Sequence, residues 1–237
     1  MIGTILNVIT IIVGGALGIL FGKWLPERIQ QTVLAGMGLF TAVLGIQMFF
    51  KTTNAMIVLG GLLIGAVLGE WWRIEDGLLW IGKWLEQHFT KNEQNNDETD
   101  SLFIRGFITA SLLFCIGPIA ILGSIQDGLT GDYSLLAIKS TLDGFASMFF
   151  ASTLGIGVLF SALPILIYQG GLSLLAVQAQ TFLSPSMMNE ITATGGVLLL
   201  GVSFNSLLKI KSIRLGNFLP SLIISPLIVA ILAFFGK

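Results

Sequence analysis

Lys139 and Asp143 are the residues whose types and spacing first indicate chemistry, because they lie four residues apart inside the apolar stretch 133–160. Positions i and i+4 share one helix face, so an ammonium and a carboxylate there can neutralise each other, and Ser147 extends that face by a further turn. Charged side chains inside a membrane helix are costly and mark solute or ion pathways. The stretch therefore predicts either a transport site or an ion pair that begins a helix.

A second polar group follows a predicted helix break in "CIGPIAILGSIQDGL". Pro118 removes a backbone hydrogen bond, and Gly117 and Gly123 weaken the helix, so freed carbonyls could line a cavity. The polar residues after the break are Ser124, Gln126 and Asp127. A broken helix beside a carboxylate is an arrangement with which transporters bind cations. A kinked helix that leads into an ordinary exposed loop is the alternative.

Composition places these residues in a membrane protein. Of the 237 residues, 54% are hydrophobic and only 11% are charged, whereas soluble domains carry roughly 25% charged residues. The apolar stretches run for about 20 residues, which is the length of membrane helices rather than of barrel strands. A net charge of −1 provides no basic surface for nucleic acid. One cysteine and one histidine provide neither an intrachain disulfide nor a cysteine-rich metal site, and we expect no cofactor and no enzyme activity.

Eight windows are long enough to span a bilayer, and we interpret the first as a retained helix because it lacks a basic leader region. The windows are 2–22, 31–50, 54–70, 102–124, 138–160, 164–183, 187–208 and 216–235. This predicts an all-α fold. Residues 70–90 form a separate amphipathic helix that lies on the inner leaflet, followed by an acidic loop at 91–100.

Basic residues and tryptophans indicate the orientation. With both termini outside, nine of the twelve lysines and arginines lie on the cytoplasmic side, as the positive-inside rule requires. The tryptophans Trp24, Trp71, Trp72, Trp80 and Trp84 lie on the same side, as an interfacial belt would. The prediction is a multi-pass protein of a bacterial inner membrane with both termini outside.

The two halves of the chain resemble each other. "GILFGKWLPERIQQ" aligns with "GVLFSALPILIYQG", and "GGLLIGAVLGEWWRI" aligns with "GGVLLLGVSFNSLLKI", each with one gap. The predicted repeats are 1–124 and 133–237, four helices each and parallel because four is even. This register places Asp143 opposite Thr4, and therefore near the outer entrance of its helix.

Small residues predict close helix packing. Glycines recur every fourth residue in two helices, at Gly14, Gly18 and Gly22 and at Gly61, Gly65 and Gly69. Such ridges allow helix backbones to approach closely, either within one chain or between two copies in a homo-oligomer. Asn7 lies on the first ridge face as a hydrogen-bond link or a ligand contact, Gln169 follows a break near the inner side, and Glu190 is expected to be solvated.

The segment 115–171 carries a family resemblance. "CIGPIAILGSIQDGL", "LAIKSTLDGFASMFFAST" and "IYQGG", together with the N-terminal "GTILN" and "GGALG", resemble a bacterial membrane family catalogued as domain of unknown function 554. The resemblance covers nearly the whole chain and implies a multi-pass inner-membrane protein described only as a candidate transport protein. It supplies no ligand sites.

Two functions remain open from the sequence. The first is a transporter or channel-like protein for a small solute or ion, with a preference for a cation or zwitterion and a site toward the outer half between the first, fourth and fifth spans. The second is a membrane scaffold or regulator that acts through its tryptophan-rich surface helix. The partners expected are the lipid bilayer and the solute.

Overall fold

The computed structural model describes residues 1–22, 24, 26–89 and 102–235, and within these ranges the chain is helical without strands. The predicted acidic loop 91–100 lies outside the described residues. The α-helices are α1 (Ile2–Gly22), α2 (Glu27–Phe49), α3 (Ala55–Trp72), α4 (Ile74–Phe89), α5 (Leu102–Cys115), α6 (Pro118–Thr130), α7 (Ser134–Leu154), α8 (Ala162–Leu174), α9 (Ala176–Phe182), α10 (Pro185–Val202) and α11 (Ser221–Phe235).

Six described segments are long and apolar enough to cross a membrane, and the bent pair α5–α6 adds a seventh if it is one span. The six are Ile2–Gly22, Arg28–Phe49, Ala55–Trp72, Ile156–Leu174, Pro185–Leu207 and Leu215–Phe234. α7 is not among them although it is 21 residues long. Its lysine, aspartate and hydroxyl side chains lower its hydropathy. The all-helical membrane character agrees with the sequence analysis, whereas the count by length and composition is six or seven.

The boundary between the fifth and sixth spans differs from the prediction. α7 ends at Leu154 because Gly155 adopts φ 78° and ψ −161°, a conformation essentially restricted to glycine. A 3₁₀ turn at Ile156–Ser161 then leads directly into α8. The predicted limits 138–160 and 164–183 are therefore wrong by several residues, since the chain turns at Gly155 rather than at Pro164. Pro164 lies in the first turn of α8, where its missing N–H is tolerated.

The fourth span is interrupted near the predicted position. α5 ends at Cys115, α6 begins at Pro118, and the two helices are bent by 63°. α6 then continues through Gly123 without interruption. A Cβ at Gly123 would lie 3.0 Å from the Leu136 side chain, so this glycine serves close packing rather than a break.

One compact unit, unit 1, contains Met1–Gly36, Leu79–Cys115 and Ile119–Ala179. Its central contact is between α1 and α7, whose backbones touch along the first glycine ridge. A Cβ at each ridge glycine would collide with a carbonyl oxygen of α7, at 2.1 Å for Gly14 and Gly18 and 2.7 Å for Gly22. The facing pairs are Gly14 with Gly144, Gly18 with Met148, and Gly22 with Ser152. Because the residue numbers on both helices increase by four from one pair to the next, α1 and α7 run in the same direction.

The other compact unit, unit 2, contains Met37–Leu78, Ile116–Pro118 and Gln180–Lys237. Its glycine ridge on α3 faces α11 and the 3₁₀ turn Leu215–Phe218 before it, pairing Gly61 with Ser225, Gly65 with Ser221 and Gly69 with Asn217. The residue numbers increase along α3 while those of the facing residues decrease, so these segments are antiparallel. α2 and α10 also touch, because a Cβ at Gly45 would lie 2.6 Å from the Gly196 oxygen. Both ridges thus contact helices of their own chain.

The amphipathic helix begins later than predicted. Arg73 adopts the left-handed conformation at φ 53° and ends α3, so α4 starts at Ile74 rather than at residue 70. Leu85 faces inward and packs with Phe103, Ile104 and Phe107, so it does not belong to an outward apolar face. The outward side chains include the five tryptophans, which are between 47% and 87% exposed: Trp24, Trp71, Trp72, Trp80 and Trp84.

A polar junction in unit 2 joins the α3–α4 turn to the segment before α11. Glu70 accepts hydrogen bonds from Arg214 at 3.0 Å and from Asn217 at 2.5 Å. The Glu75 N–H donates to Asn217 Oδ1 at 2.7 Å, and the Gly216 N–H donates to Glu75 Oε2 at 2.5 Å. Burial raises the pKa of Glu75 above its ordinary value, although the Gly216 hydrogen bond lowers it in part.

Gly18→Ala is expected to destabilise unit 1, because the added methyl group would lie 2.1 Å from the Met148 oxygen. Forcing the two helices apart should cost about 1–3 kcal/mol of the free energy of unfolding. Gly36→Ala in α2 is the matched control, since nothing lies within 4 Å of its Cβ position. Thermal unfolding in detergent measures both variants. Equal melting temperatures for Gly18→Ala and the parent protein would contradict the close contact.

Glu75→Gln is expected to remove a pH dependence. Because the folded-state pKa is raised, Glu75 ionises first in the unfolded chain, and its contribution to stability falls as pH rises from about 4.5 toward the raised value. Glutamine keeps an acceptor for the Gly216 N–H. The stability difference between Glu75→Gln and the parent should therefore grow with pH across that window and then level off. A pH-independent difference, or the same trend in Asp132→Asn, an exposed carboxylate elsewhere whose pKa is lowered, would contradict this assignment.

Candidate functional site

Four buried polar side chains of unit 1 meet between α1, α7 and α8, and we call them the buried charge cluster: Asn7, Lys139, Asp143 and Gln169. Each is at most 8% exposed. The Lys139 ammonium contacts Asp143 Oδ2 directly. Asn7 Nδ2 donates to the same oxygen at 3.0 Å and to Gln169 Oε1 at 3.3 Å. Asn7 therefore connects the charge pair of α7 to the amide of α8.

The glycine contact between α1 and α7 positions this cluster. Gly144 follows Asp143 directly and its backbone touches α1 at Gly14. The backbone that carries the Asp143 side chain therefore lies against α1. Asn7 lies two turns before Gly14 on the same helix face, which directs its amide toward α7. On the other side of Lys139, the Phe114 ring of α5 has its centroid 6.0 Å from Nζ, a distance suited to a cation–π contact.

Helix boundaries place the charge pair further along its helix than the sequence predicts. α7 begins at Ser134, five residues before Lys139, so Asp143 is the tenth of its 21 residues. At about 1.5 Å per residue, Asp143 lies about 14 Å along the helix. The predicted helix bounds 138–160 are therefore wrong, whereas the expectation that the bilayer begins near Lys139 stays a prediction.

Several polar atoms around the N-terminal half of α1 have no hydrogen-bond partner among the described residues. They are Thr4 Oγ1, Asn7 Oδ1, Asp127 Oδ1 and Gln169 Nε2, together with Thr109 Oγ1 on α5. A buried polar atom without a partner costs about 1–3 kcal/mol, so native proteins supply water, an ion or a ligand to such atoms. Within the cluster, Asn7 offers an acceptor and Gln169 offers a donor.

Asp127 does not join the buried charge cluster. Its Oδ2 accepts from the Gly3 N–H at 3.1 Å and lies 3.0 Å from the Met1 amino nitrogen. The carboxylate therefore stabilises the N-terminal turn of α1, where the helix dipole and the free N–H groups favour a negative charge. This contact holds the start of α1 against α6.

The remaining predicted polar residues make contacts of their own. The Ser147 hydroxyl donates to the Ile11 carbonyl of α1 at 2.7 Å, and the Ser124 hydroxyl donates to the Ala120 carbonyl at 2.6 Å. Gln126 is directed outward and donates to Asp132 Oδ2 at 2.6 Å. Hydrogen bonds from the Ser134 hydroxyl and N–H lower the pKa of Asp132. Thus Ser147 adds to the α1–α7 contact, whereas Gln126, near the end of α6, contacts the exposed turn that follows this helix.

Sequence reasoning assigned Gln169 only to a helix break, although it is fully buried in the cluster. One signal was present, namely a single amide in the apolar run "LPILIYQGG". What that run did not disclose was its partner, because Asn7 lies 162 residues away along the chain. Only the packing of α1 between α7 and α8 brings the two amides together.

The chemistry of the cluster is recognition by charge and hydrogen bonds. One ammonium and one carboxylate make it neutral overall, and the two unpartnered amide atoms can receive one donor and one acceptor. Among the described residues, no group of three or more histidine, cysteine, aspartate or glutamate side chains could hold a metal ion. The arrangement fits a small polar or zwitterionic species, or a cation that competes with Lys139 for Asp143.

Comparisons with known proteins place the chain in one family. The family model described as "Protein of unknown function (DUF554)" matches residues 2–230. The chain is 33% identical to the uncharacterized membrane protein YdfK of Bacillus subtilis (strain 168), over all of this chain and 99% of that protein. It is 34% identical to the uncharacterized protein YqgA of Escherichia coli (strain K12), over the full length of both. No solved structure matches the chain.

Removing one charge of the cluster should destabilise the fold more than removing both. Lys139→Met leaves the buried Asp143 carboxylate unpaired, and Asp143→Asn leaves the buried Lys139 ammonium unpaired. Breaking one partner of a buried pair costs about 3–5 kcal/mol. The double variant should recover most of that loss. Arg73→Met, Asp76→Asn and their double variant form the control cycle, because that pair is exposed with 3.9 Å between its charged atoms. Additive melting shifts at Lys139 and Asp143 would contradict a coupled buried pair.

Proposed function

Since the chain belongs to the DUF554 family of membrane proteins, we propose that it moves a small polar solute or ion across a bacterial inner membrane through the buried charge cluster. One observation carries this proposal. A lysine, an aspartate and two amides are buried together in unit 1, and two of the amide atoms have no hydrogen-bond partner in the described part of the chain. Ionisable groups inside a membrane helix bundle are costly and are retained at solute and ion pathways.

The proposal includes eight spans, of which α7 is one. The parallel packing of α1 and α7 supports this count, because a helix in close contact with a membrane-crossing helix over three turns shares its bilayer. If α1, α2 and α3 each cross once, the bent pair α5–α6 must also cross for α7 to point the same way as α1. A re-entrant pair would leave α7 antiparallel to α1.

The same directions are consistent with the proposed orientation and repeat. α2 and α10 are antiparallel, because Gly38 faces Leu208 whereas Gly45 faces Gly196. This pair and the antiparallel pair α3–α11 agree with eight alternating crossings. The parallel pair α1–α7 joins the first helix of each proposed four-helix repeat, as expected when an even number of crossings separates them. The positive-inside rule then places the α3–α4 junction on the cytoplasmic side and both termini outside.

The roles of the cluster residues follow from their contacts. In the arrangement described, Lys139 neutralises Asp143, which lowers the free-energy cost of burying both charges in a low-dielectric interior. A solute with an ammonium group, or a small cation, would take the place of Lys139 at Asp143. Asn7 and Gln169 would then orient it through their free acceptor and donor. Asp143 is the binding carboxylate in this scheme, and Lys139 is the internal counter-ion that returns when the solute leaves.

A scaffold or regulatory role is the second candidate, and the outward aromatic side chains of α4 favour it. Trp80 is 67% exposed and Trp84 is 47% exposed, one helical turn apart. Trp84 stacks with His88 at 4.5 Å between ring centroids. Exposed tryptophans on an amphipathic helix suit the membrane interface, where a regulator could respond to the lipid surface.

Asp143→Asn is expected to abolish transport, and so is the double variant Lys139→Met/Asp143→Asn, which should lose less stability than the single variant. Purified protein reconstituted in liposomes should give uptake of at least one tracer among sodium, rubidium, protons, glycine and alanine above the protein-free level. The Asp143→Asn variant should fall to that level, because it removes the binding charge. Asp76→Asn, which changes an exposed carboxylate outside the proposed spans, should keep parental uptake.

Two results would overturn this proposal. Unchanged uptake by a folded Asp143→Asn protein would remove Asp143 from the pathway. No uptake of any tracer by the reconstituted parent protein would favour the scaffold function instead.

A further inference from the structure

Unit 2 contains a buried carboxylate that the proposed function does not use. Glu190 is the sixth residue of α10 and is only 2% exposed, so the expectation that it is solvated is wrong. It is buried because α10 packs closely against α2 through Gly196 and against α11 through Thr194, which donates to Ser225 at 2.7 Å. These contacts place the outer turns of α10 inside the unit.

The hydrogen bonds that Glu190 accepts satisfy only part of its carboxylate group. Thr52 Oγ1 lies 2.7 Å from one carboxylate oxygen and 2.8 Å from the other. A hydroxyl group has a single proton, so it donates fully to only one of them, whereas a carboxylate can accept about four hydrogen bonds. The Thr52 oxygen is itself fixed in place by the Asn54 N–H at 3.0 Å.

No basic group compensates Glu190 within the described part of the chain. The other buried or half-buried carboxylates have stronger donors, such as Lys139 for Asp143 and the Gly216 N–H for Glu75. Lys51 is next to Thr52 in sequence, yet it is exposed and forms no ion pair with Glu190. An ionised carboxylate that is buried without a cation costs several kcal/mol.

The C-terminal end of α2 also favours a positive charge near Thr52. α2 ends at Phe49, and Thr52 follows after a short turn in which the Thr52 N–H donates to the Phe49 carbonyl. A helix C-terminus carries a partial negative charge and favours cations nearby. The Glu190 carboxylate, the Thr52 hydroxyl and this helix end therefore bring negative potential together from two different helices.

We propose that Glu190 and Thr52 form a binding site for a small monovalent cation of the sodium class at the outer end of unit 2. Carboxylate and hydroxyl oxygens are ligands suited to hard cations. A single carboxylate balances a single positive charge, and no further histidine, cysteine, aspartate or glutamate cluster among the described residues supplies the ligands of a divalent or transition-metal ion. The site does not depend on transport through the buried charge cluster.

The test is the melting temperature of the full-length protein in detergent, in sodium, potassium or N-methylglucamine chloride at equal ionic strength and pH. The parent should melt several degrees higher in sodium than in N-methylglucamine, and the difference should grow with sodium concentration because only the folded state binds the ion. Glu190→Gln should lose this response. Thr52→Val should require more sodium for the same increase. Asp132→Asn, which removes an exposed carboxylate elsewhere, should keep the parental response.

Three results would overturn the proposal. They are the same melting temperature in all three salts, a sodium response retained by Glu190→Gln, and, when the screen is repeated at a second pH, a melting temperature that changes with pH but not with the cation. The last result would mean that a proton neutralises Glu190. If Glu190→Gln does not fold, the sodium requirement of Thr52→Val decides, and a parental requirement in that variant counts against the site.

Discussion

The contact between the backbones of α1 and α7 is the constraint on which the rest of unit 1 depends. Lipid offers no hydrophobic driving force between helices, so their association relies on close packing, and three glycines with no side chain allow that packing here. The same contact brings Asp143 to Asn7 and allows Ser147 to donate to the Ile11 carbonyl. A charge pair can be buried at this position because the helices that surround it are held at a fixed and short separation.

Unit 2 uses the same device with a different result. Its glycine ridge on α3 faces serines and an asparagine, and hydroxyl groups rather than a charge pair fill the interior next to it. Among its described residues, ionic contacts lie at the α3–α4 junction, where Arg214 and Glu70 remain exposed, and the buried Glu190 carboxylate accepts from the Thr52 hydroxyl. The two units therefore manage buried polarity differently, by internal neutralisation in unit 1 and by hydroxyl contacts in unit 2.

Much of the fold could be predicted from the sequence, because apolar length, glycine spacing and the Gly117–Pro118 pair act locally. The turn at Gly155 could not be predicted, because the sequence does not distinguish a glycine inside a helix from a glycine at a positive φ angle. With α7 ending at Leu154, Asp143 lies near the middle of its helix. For the candidate site, the sequence identified Lys139, Asp143 and Asn7, whereas Gln169 and the burial of Glu190 depended on distant packing. Periodicity describes one helix at a time, and partners more than 130 residues apart lie outside its reach.

The turn at Gly155 also limits how unit 1 could change shape. A single residue separates α7 from the 3₁₀ turn that leads into α8, so the connection between these two helices has almost no slack. Asp143 lies on one of the two connected helices and Gln169 on the other, and Asn7 of α1 donates a hydrogen bond to each of them. A displacement of α1 would therefore break both links of the cluster at once. The glycine contact with α7 opposes that displacement, so the geometry of the cluster is tied to the closest helix contact in unit 1.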